Sequence, residues 1–186
     1  DIDFFVIARS GTLWLVRLLC VSPLILLRAR PGVRSHSPID FTFFVTDKNL
    51  DLSSLCIKPE DPYMSYWLAS LVPLVNDGVM LDLWKANKWM QKDLPNATQM
   101  DVAWYRRVRN WQRVSSLVYR PLRALGLINI FDRLARVVST RKFPNVINEK
   151  MNKSTNVVVN EDVLKFHVTD NRRRIYEQWK RTCENL

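Results

Sequence analysis

Cysteine and histidine are scarce in this chain, and their placement excludes more chemistry than it suggests. Cys20, Cys56 and Cys183 are widely spaced and never form a C-x-x-C pair. Neither a disulfide framework nor a zinc site is encoded, and buried thiols in a reducing cytoplasm are expected. The two histidines, His36 and His167, make no H-E-x-x-H. With no Ser-His-Asp order, G-x-S-x-G or Walker loop either, zinc-protease, serine-hydrolase and P-loop chemistry are set aside. His167, after Leu164-Lys165-Phe166, reads as a hydrogen-bonded packing residue. A membrane span is also missing. The apolar run from Leu13 to Leu27 is shorter than the roughly 20 residues a spanning helix needs. It contains Arg17 and Pro23 and follows no basic leader, so a buried amphipathic helix is expected in place of a span or a signal peptide.

What is present is ordinary in bulk and unusual in charge. At 186 residues, 47% hydrophobic and 25% charged, the chain can bury a sizeable core as one domain with a helical extension. Its net charge of +10 gives a field that favours polyanions such as nucleotides, nucleic acid or an acidic membrane surface.

The sharpest local pattern is Asp1-Ile2-Asp3 running into Phe4-Phe5-Val6-Ile7. Residues 3–8 are β-branched and aromatic, as in a strand covered on both faces. Side chains alternate along a strand, so Asp1 and Asp3 share a face and can grip one divalent cation. The competing reading is a pair of solvated acids at a frayed end. An Arg9-Ser10-Gly11 turn then starts a helix with Trp14, Leu15, Leu18 and Leu19 on one face, which Pro23 kinks or ends. After a loop from Arg28 to Pro38, Ile39 to Thr46 forms a second strand. Alternation there places Asp40, Thr42 and Phe44 on one face and Phe41, Phe43 and Val45 on the other.

From Glu60 onward the pattern turns helical. Asp61 followed by Pro62 is an N-cap with proline at the first helical position, and Met64, Trp67, Leu68, Leu71 and Val72 make the apolar stripe behind it. A helix over about 78–91 aligns Met80, Leu83, Trp84 and Asn87, and one over about 98–119 repeats Trp104, Val108, Trp111 and Val118 before Pro121. Residues 127–139 form a further helix, with Ile128, Phe131, Leu134, Ala135 and Val138 expected to face inward. Lys142 to Asn156 reads as a polar surface loop. Val157 to Val159 is at most a short strand, and Asp170 caps a final helix through Ile175, Tyr176 and Trp179. Arg106, Arg107, Arg109, Arg113, Arg120 and Arg123 crowd the third helix and its exit. Because the tryptophans between them fall at core spacing, a solvated basic face is preferred to a nucleic-acid stripe.

The order D-I-D-F-F-V-I-A, Ser10-Gly11, T-L-W-L-V-R-L-L resembles the nucleotidyltransferase domains of the DNA polymerase β-like superfamily, in which the D-x-D carries the metal-binding acids. P-L-V at 73–75, A-N-K-W at 86–89, D-L-P-N-A at 93–97 and L-K-F-H with Asp170 and Arg172 extend the likeness to a bacterial group of predicted nucleotidyltransferases of unassigned substrate. The resemblance implies an α+β fold, with a partial catalytic domain at 1–58 and a helical C-terminal region at 59–186. It implies Mg²⁺ held by Asp1, Asp3 and Asp40, the last as third carboxylate from a neighbouring strand. Arg9, at the C-terminal end of the metal strand, is the candidate nucleotide-phosphate contact. The Gly-Ser turn that holds the triphosphate in the superfamily has no counterpart before Asp1, so the chain is expected to be an N-terminally truncated fragment that cannot itself turn over. The function expected at full length is transfer of a nucleoside monophosphate from a nucleoside triphosphate to an unknown acceptor, in the cytoplasm. The alternative is a non-catalytic basic module that binds a nucleotide or nucleic acid.

Overall fold

In the computed structural model, residues 2–29, 38–102, 108 and 111–184 are described, apart from the side chains of 111–115 and 118. The architecture is α+β. The chain divides into two compact units, Asp1–Asn49 with Ser115–Val168 and Leu50–Val114 with Thr169–Leu186. Both units are assembled from two separate stretches, which differs from the expected single division at 58/59.

The first unit holds the sheet. Strands β1 (Ile2–Ala8), β2 (Ile39–Thr46), β3 (Val157–Val159) and β4 (Val163–Phe166) lie in the order β1-β2-β4-β3. β1 and β2 are parallel, and β4 runs antiparallel to both β2 and β3. The helix between the parallel strands, α1 (Leu13–Leu26), follows a turn in which Gly11 takes a φ of +78° that other residues resist. Pro23 does not stop it at once: Leu27 still donates to the Pro23 carbonyl, and the helix ends at Leu26. Trp14, Leu13 and Val21 of α1 pack with Ala8, Phe44, Leu164, Val157, Phe143 and Ala135 as the core on one face of the sheet.

The other helices of this unit are α4 (Trp111–Ala124), α5 (Leu127–Arg141) and α6 (Asn145–Lys150). Over residues 98–119 the sequence suggests a helix, but Gln99 to Val102 are not helical, α4 begins at Trp111, and it runs through Pro121. Trp104 and the side chain of Trp111 lie outside the described residues, as do Arg106, Arg107, Arg109, His36 and the side chain of Arg113.

α5 corrects a sequence expectation. Ile128 and Ala135 do face inward, but their buried companions are Asp132 and Ser139, whereas Phe131, Leu134 and Val138 are exposed. The reason is a polar anchor: Asp132 Oδ1 accepts the Leu15 N–H at 2.8 Å, satisfying one of the free donors in the first turn of α1. The polar stretch after Lys142 is also more ordered than expected. α6 forms within it, pinned by buried Phe143 and Ile147, and β4, unrecognised in the sequence, pairs with β2.

The second unit is built on α2 (Pro62–Ala69), α3 (Val79–Ala86) and α7 (Arg172–Glu184). Asp61 caps α2 as expected, accepting the Met64 N–H at 3.0 Å. Met64 and Leu68 are buried, Trp67 is half-buried and Val72 is exposed. α3 buries Met80, Leu83, Trp84 and Asn87, the whole stripe read from the sequence. Asn87 takes the Leu52 N–H and the Trp89 Nε1–H on its Oδ1 and donates to the Leu50 and Leu83 carbonyls. No amide hydrogen of its side chain is wasted, which is the condition for burying it.

Candidate functional site

The parallel ladder sets Asp3 directly beside Asp40. Partnered positions of adjacent strands project to the same face, and the strands lie about 4.8 Å apart. Asp3 is exposed and Asp40 half-buried. Asp1 lies outside the described residues, so the expected trio is represented by two members.

A register shift shapes what stands next to them. From Asp3 to Phe5 is two steps, yet their partners Asp40 and Phe43 are three apart, which marks an extra residue on β2. An extra residue reverses the alternation beyond it. Phe43 therefore joins the carboxylate face, where it meets Phe5 edge-on at 4.9 Å. Phe41 stacks on Phe4 at 4.9 Å and lies 6.3 Å from Phe44 on the opposite, helix-covered face. The expected grouping of Phe44 with Asp40, and of Phe41 with Phe43, is thereby overturned. Unbroken alternation cannot foresee a bulge.

His167 belongs to the same neighbourhood. Its Nε2 lies 3.2 Å from Thr42 Oγ1, and its ring meets Phe43 edge-on at 6.1 Å. Lys165, the partner of Phe43 in the ladder, is 2% exposed; its Nζ donates to the Thr155 carbonyl at 2.9 Å and lies 5.6 Å from the Phe43 ring centre.

Like charges directly opposite each other destabilise a sheet, and a cation shared between the two carboxylates removes that cost. Among the described residues no cluster of three or more His, Cys, Asp or Glu side chains is arranged to hold a metal ion. Mg²⁺ is commonly held by only one or two carboxylates, with phosphate oxygens and water completing the shell. Asp3 and Asp40 fit that open kind of site.

Arg9 is not brought to the carboxylates. It lies six positions beyond Asp3, just past the end of β1, about 20 Å away at the usual rise of a strand. Its guanidinium lies over the Tyr119 ring at 4.7 Å, and Arg123 approaches the same ring at 5.7 Å while donating to the Tyr119 hydroxyl at 3.1 Å. Beside it, Ser10 gives both its N–H and its hydroxyl to Asp47 Oδ1. Two exposed guanidinium groups on one phenol make a cationic corner at the far end of the strand.

The strongest electrostatic cluster is one the sequence marked only in parts. Arg172, buried, donates to Asp61 Oδ2 at 2.9 Å, to the Leu55 carbonyl at 2.8 Å and to both oxygens of Asp170. Burial alone would lower its pKa, but the hydrogen bonds and charges of Asp170 and Asp61 outweigh burial and raise it. Asp61 and Asp170 both read as helix caps in the sequence, and nothing local could have shown that one arginine joins them. Both oxygens of Asp61 are engaged within the protein, since Oδ1 accepts the Met64 N–H and Oδ2 also accepts the Ile57 N–H. The cluster ties together separate stretches of the second unit.

No family model matches the chain, and no match to it was found among curated proteins or solved structures.

Proposed function

We propose that the chain carries part of the active site of a metal-dependent nucleotidyltransferase, and one observation supports this most: Asp3 and Asp40 stand side by side on adjacent parallel strands. In this reading Asp3, with Asp1, and Asp40 form an open acidic face for Mg²⁺. An ion held by these carboxylates would supply charge neutralisation of the phosphates and help align the triphosphate for in-line displacement. An acceptor atom attacks the α-phosphorus, its bond to that phosphorus forms as the bond to the bridging oxygen breaks, and pyrophosphate leaves. Asp40 lies at the less exposed position and would take the acceptor's proton or hold the second ion. His167 and Thr42, a short way along the same face, are placed to orient the acceptor. Arg9 has no part in this site, being about 20 Å from Asp3. A cytoplasmic setting belongs to this reading; of the thiols expected to be buried, Cys20 and Cys56 are half-buried and Cys183 is exposed.

Calorimetric titration with each nucleoside triphosphate, with and without Mg²⁺, tests the reading. Asp3→Asn and Asp40→Asn should each weaken Mg²⁺-dependent binding tenfold or more, because the charge is lost while the shape is kept. Binding unaffected by either substitution would overturn it.

A second reading, a non-catalytic basic module for nucleotides, is favoured by the Arg9–Tyr119–Arg123 corner, which presents cations without a neighbouring carboxylate pair. It expects nucleotide binding that is independent of Mg²⁺, insensitive to Asp3→Asn and reduced by Arg9→Gln.

A further inference from the structure

The side of α5 turned to solvent is more apolar than the side turned to the core. Ile130, Phe131, Leu134, Val137 and Val138 are all exposed, between 42% and 56%. At 100° per residue they fall within an arc of about 120°, roughly opposite Asp132, Ala135 and Ser139. An arc that wide is the signature of a face meant to be covered. The pattern extends beyond one helix: Leu26 and Leu27 at the end of α1, Leu117 of α4 and Leu125 in the turn before α5 are each more than 70% exposed.

The charges on these helices have a single sign. Residues 13–28 and 116–143 contain one acid, Asp132, and it is buried against the first turn of α1. The exposed charged side chains of the same stretches are Arg28, Arg120, Arg123, Arg133, Arg136, Arg141 and Lys142. Among the described residues, Arg136 is the one of these with an acidic partner, pairing with Glu161. A second copy of the chain would bring arginine against arginine across this face, which like-charge juxtaposition penalises. Exposed leucines and phenylalanine bordered by arginine are what an interfacial helix presents to an anionic bilayer. No helix among the described residues is long and apolar enough to cross a membrane, so such a contact would lie on the surface.

We propose that the α5 face, with the leucines at the ends of α1 and α4, is a peripheral docking surface for an anionic lipid bilayer. The apolar side chains enter the boundary between headgroups and acyl chains, and the arginines meet lipid phosphate and carboxylate groups. The proposal draws on none of the observations behind the nucleotidyltransferase reading, although Leu27 lies two residues before Ala29, whose carbonyl accepts the Ile39 N–H next to Asp40.

Co-sedimentation of the chain with vesicles of phosphatidylcholine, alone or mixed with phosphatidylserine, tests it. Binding should require phosphatidylserine and weaken as salt is raised. The double substitution Phe131→Ser with Leu134→Ser should lower partitioning tenfold or more. Arg133→Gln, which leaves every apolar contact in place, should lower it about fivefold. Circular dichroism of each variant should match the unaltered chain, and the arginine variant keeps the test valid if the double variant loses its fold. No binding to phosphatidylserine vesicles, or equal binding by all variants, would overturn the proposal. So would self-association abolished by the double variant without vesicle binding, which would assign the face to a second copy. Retention on polyglutamate without vesicle binding would assign it to an acidic protein and equally overturn the lipid assignment.

Discussion

Helices α3 and α5 look alike in sequence and are used in opposite ways. Each has an apolar stripe at helical spacing and a polar residue that the fold buries. In α3 the polar residue, Asn87, lies on the stripe, and Met80, Leu83 and Trp84 go inside with it. In α5 the polar residue, Asp132, lies opposite the stripe, and most of the apolar side chains are left facing out. Periodicity therefore locates a face without saying which way it turns. What decides is the partner of the polar group. Asn87 satisfies the chain around Leu50 and Leu52, whereas Asp132 satisfies the first turn of α1. A carboxylate at a helix N-terminus is favoured by the exposed amide donors there as well as by the hydrogen bond itself.

The comparison can be broken at its polar anchors, and the second unit should suffer most. Arg172→Met leaves Asp61, 5% exposed, and Asp170 without their buried cation, and removal of one partner from such a cluster costs about 3–5 kcal/mol. Urea unfolding should show that loss. The pH profile adds a sign. The raised pKa of Arg172 means that its contribution is complete below the ordinary arginine range and is lost only as pH rises beyond it. The destabilisation by Arg172→Met should thus not arise from any titration of the arginine between neutral pH and pH 9.

Asn87→Leu should cost somewhat less, about 2–3 kcal/mol. It extends the apolar character of the α3 stripe but strands the Leu52 N–H in a buried place and the Leu50 carbonyl in a partly buried one. Asp132→Ala should cost about 1–2 kcal/mol, the usual range for a charged group capping a helix start. If it cost nothing, the anchor would not explain why α5 turns its apolar side outward. Thermal or urea midpoints of the two variants, read side by side, give the ratio directly.

Much of the candidate site was legible because strands report themselves. β1 and β2 are read from Ile2-Asp3-Phe4-Phe5 and Ile39-Asp40-Phe41 within a residue of their observed bounds, whereas Asp40 is put on a neighbouring strand only by the resemblance, and the parallel register that pairs it with Asp3 comes from the fold. The bulge between Asp40 and Phe43 left no mark in the pattern, since Phe41, Thr42, Phe43 and Phe44 are all good strand residues. β4 was hidden for a different reason: Val163-Leu164-Lys165-Phe166 places a lysine in an interior position, and its burial is made tolerable by the Thr155 carbonyl, ten residues away. Arg172 was harder still. Its partners Asp61 and Leu55 come from the other half of the unit, and such pairing is set by the tertiary fold.

The smallest expected effect is the most discriminating. Leu134→Ser removes a large apolar side chain from the middle of α5, and were the stripe packed as the sequence suggests, the loss would be about 2–5 kcal/mol, as for other large-to-small changes in a core. Leu134 is 56% exposed, so its side chain has little packing to lose. Serine is a slightly poorer helix former, which sets the expected change at no more than about 0.5 kcal/mol. Chemical unfolding measures the change. A loss near that of a core substitution would mean that α5 is turned about its axis from the orientation described. Asp132 would then no longer reach the Leu15 amide, and the contrast with α3 would collapse along with the outward face.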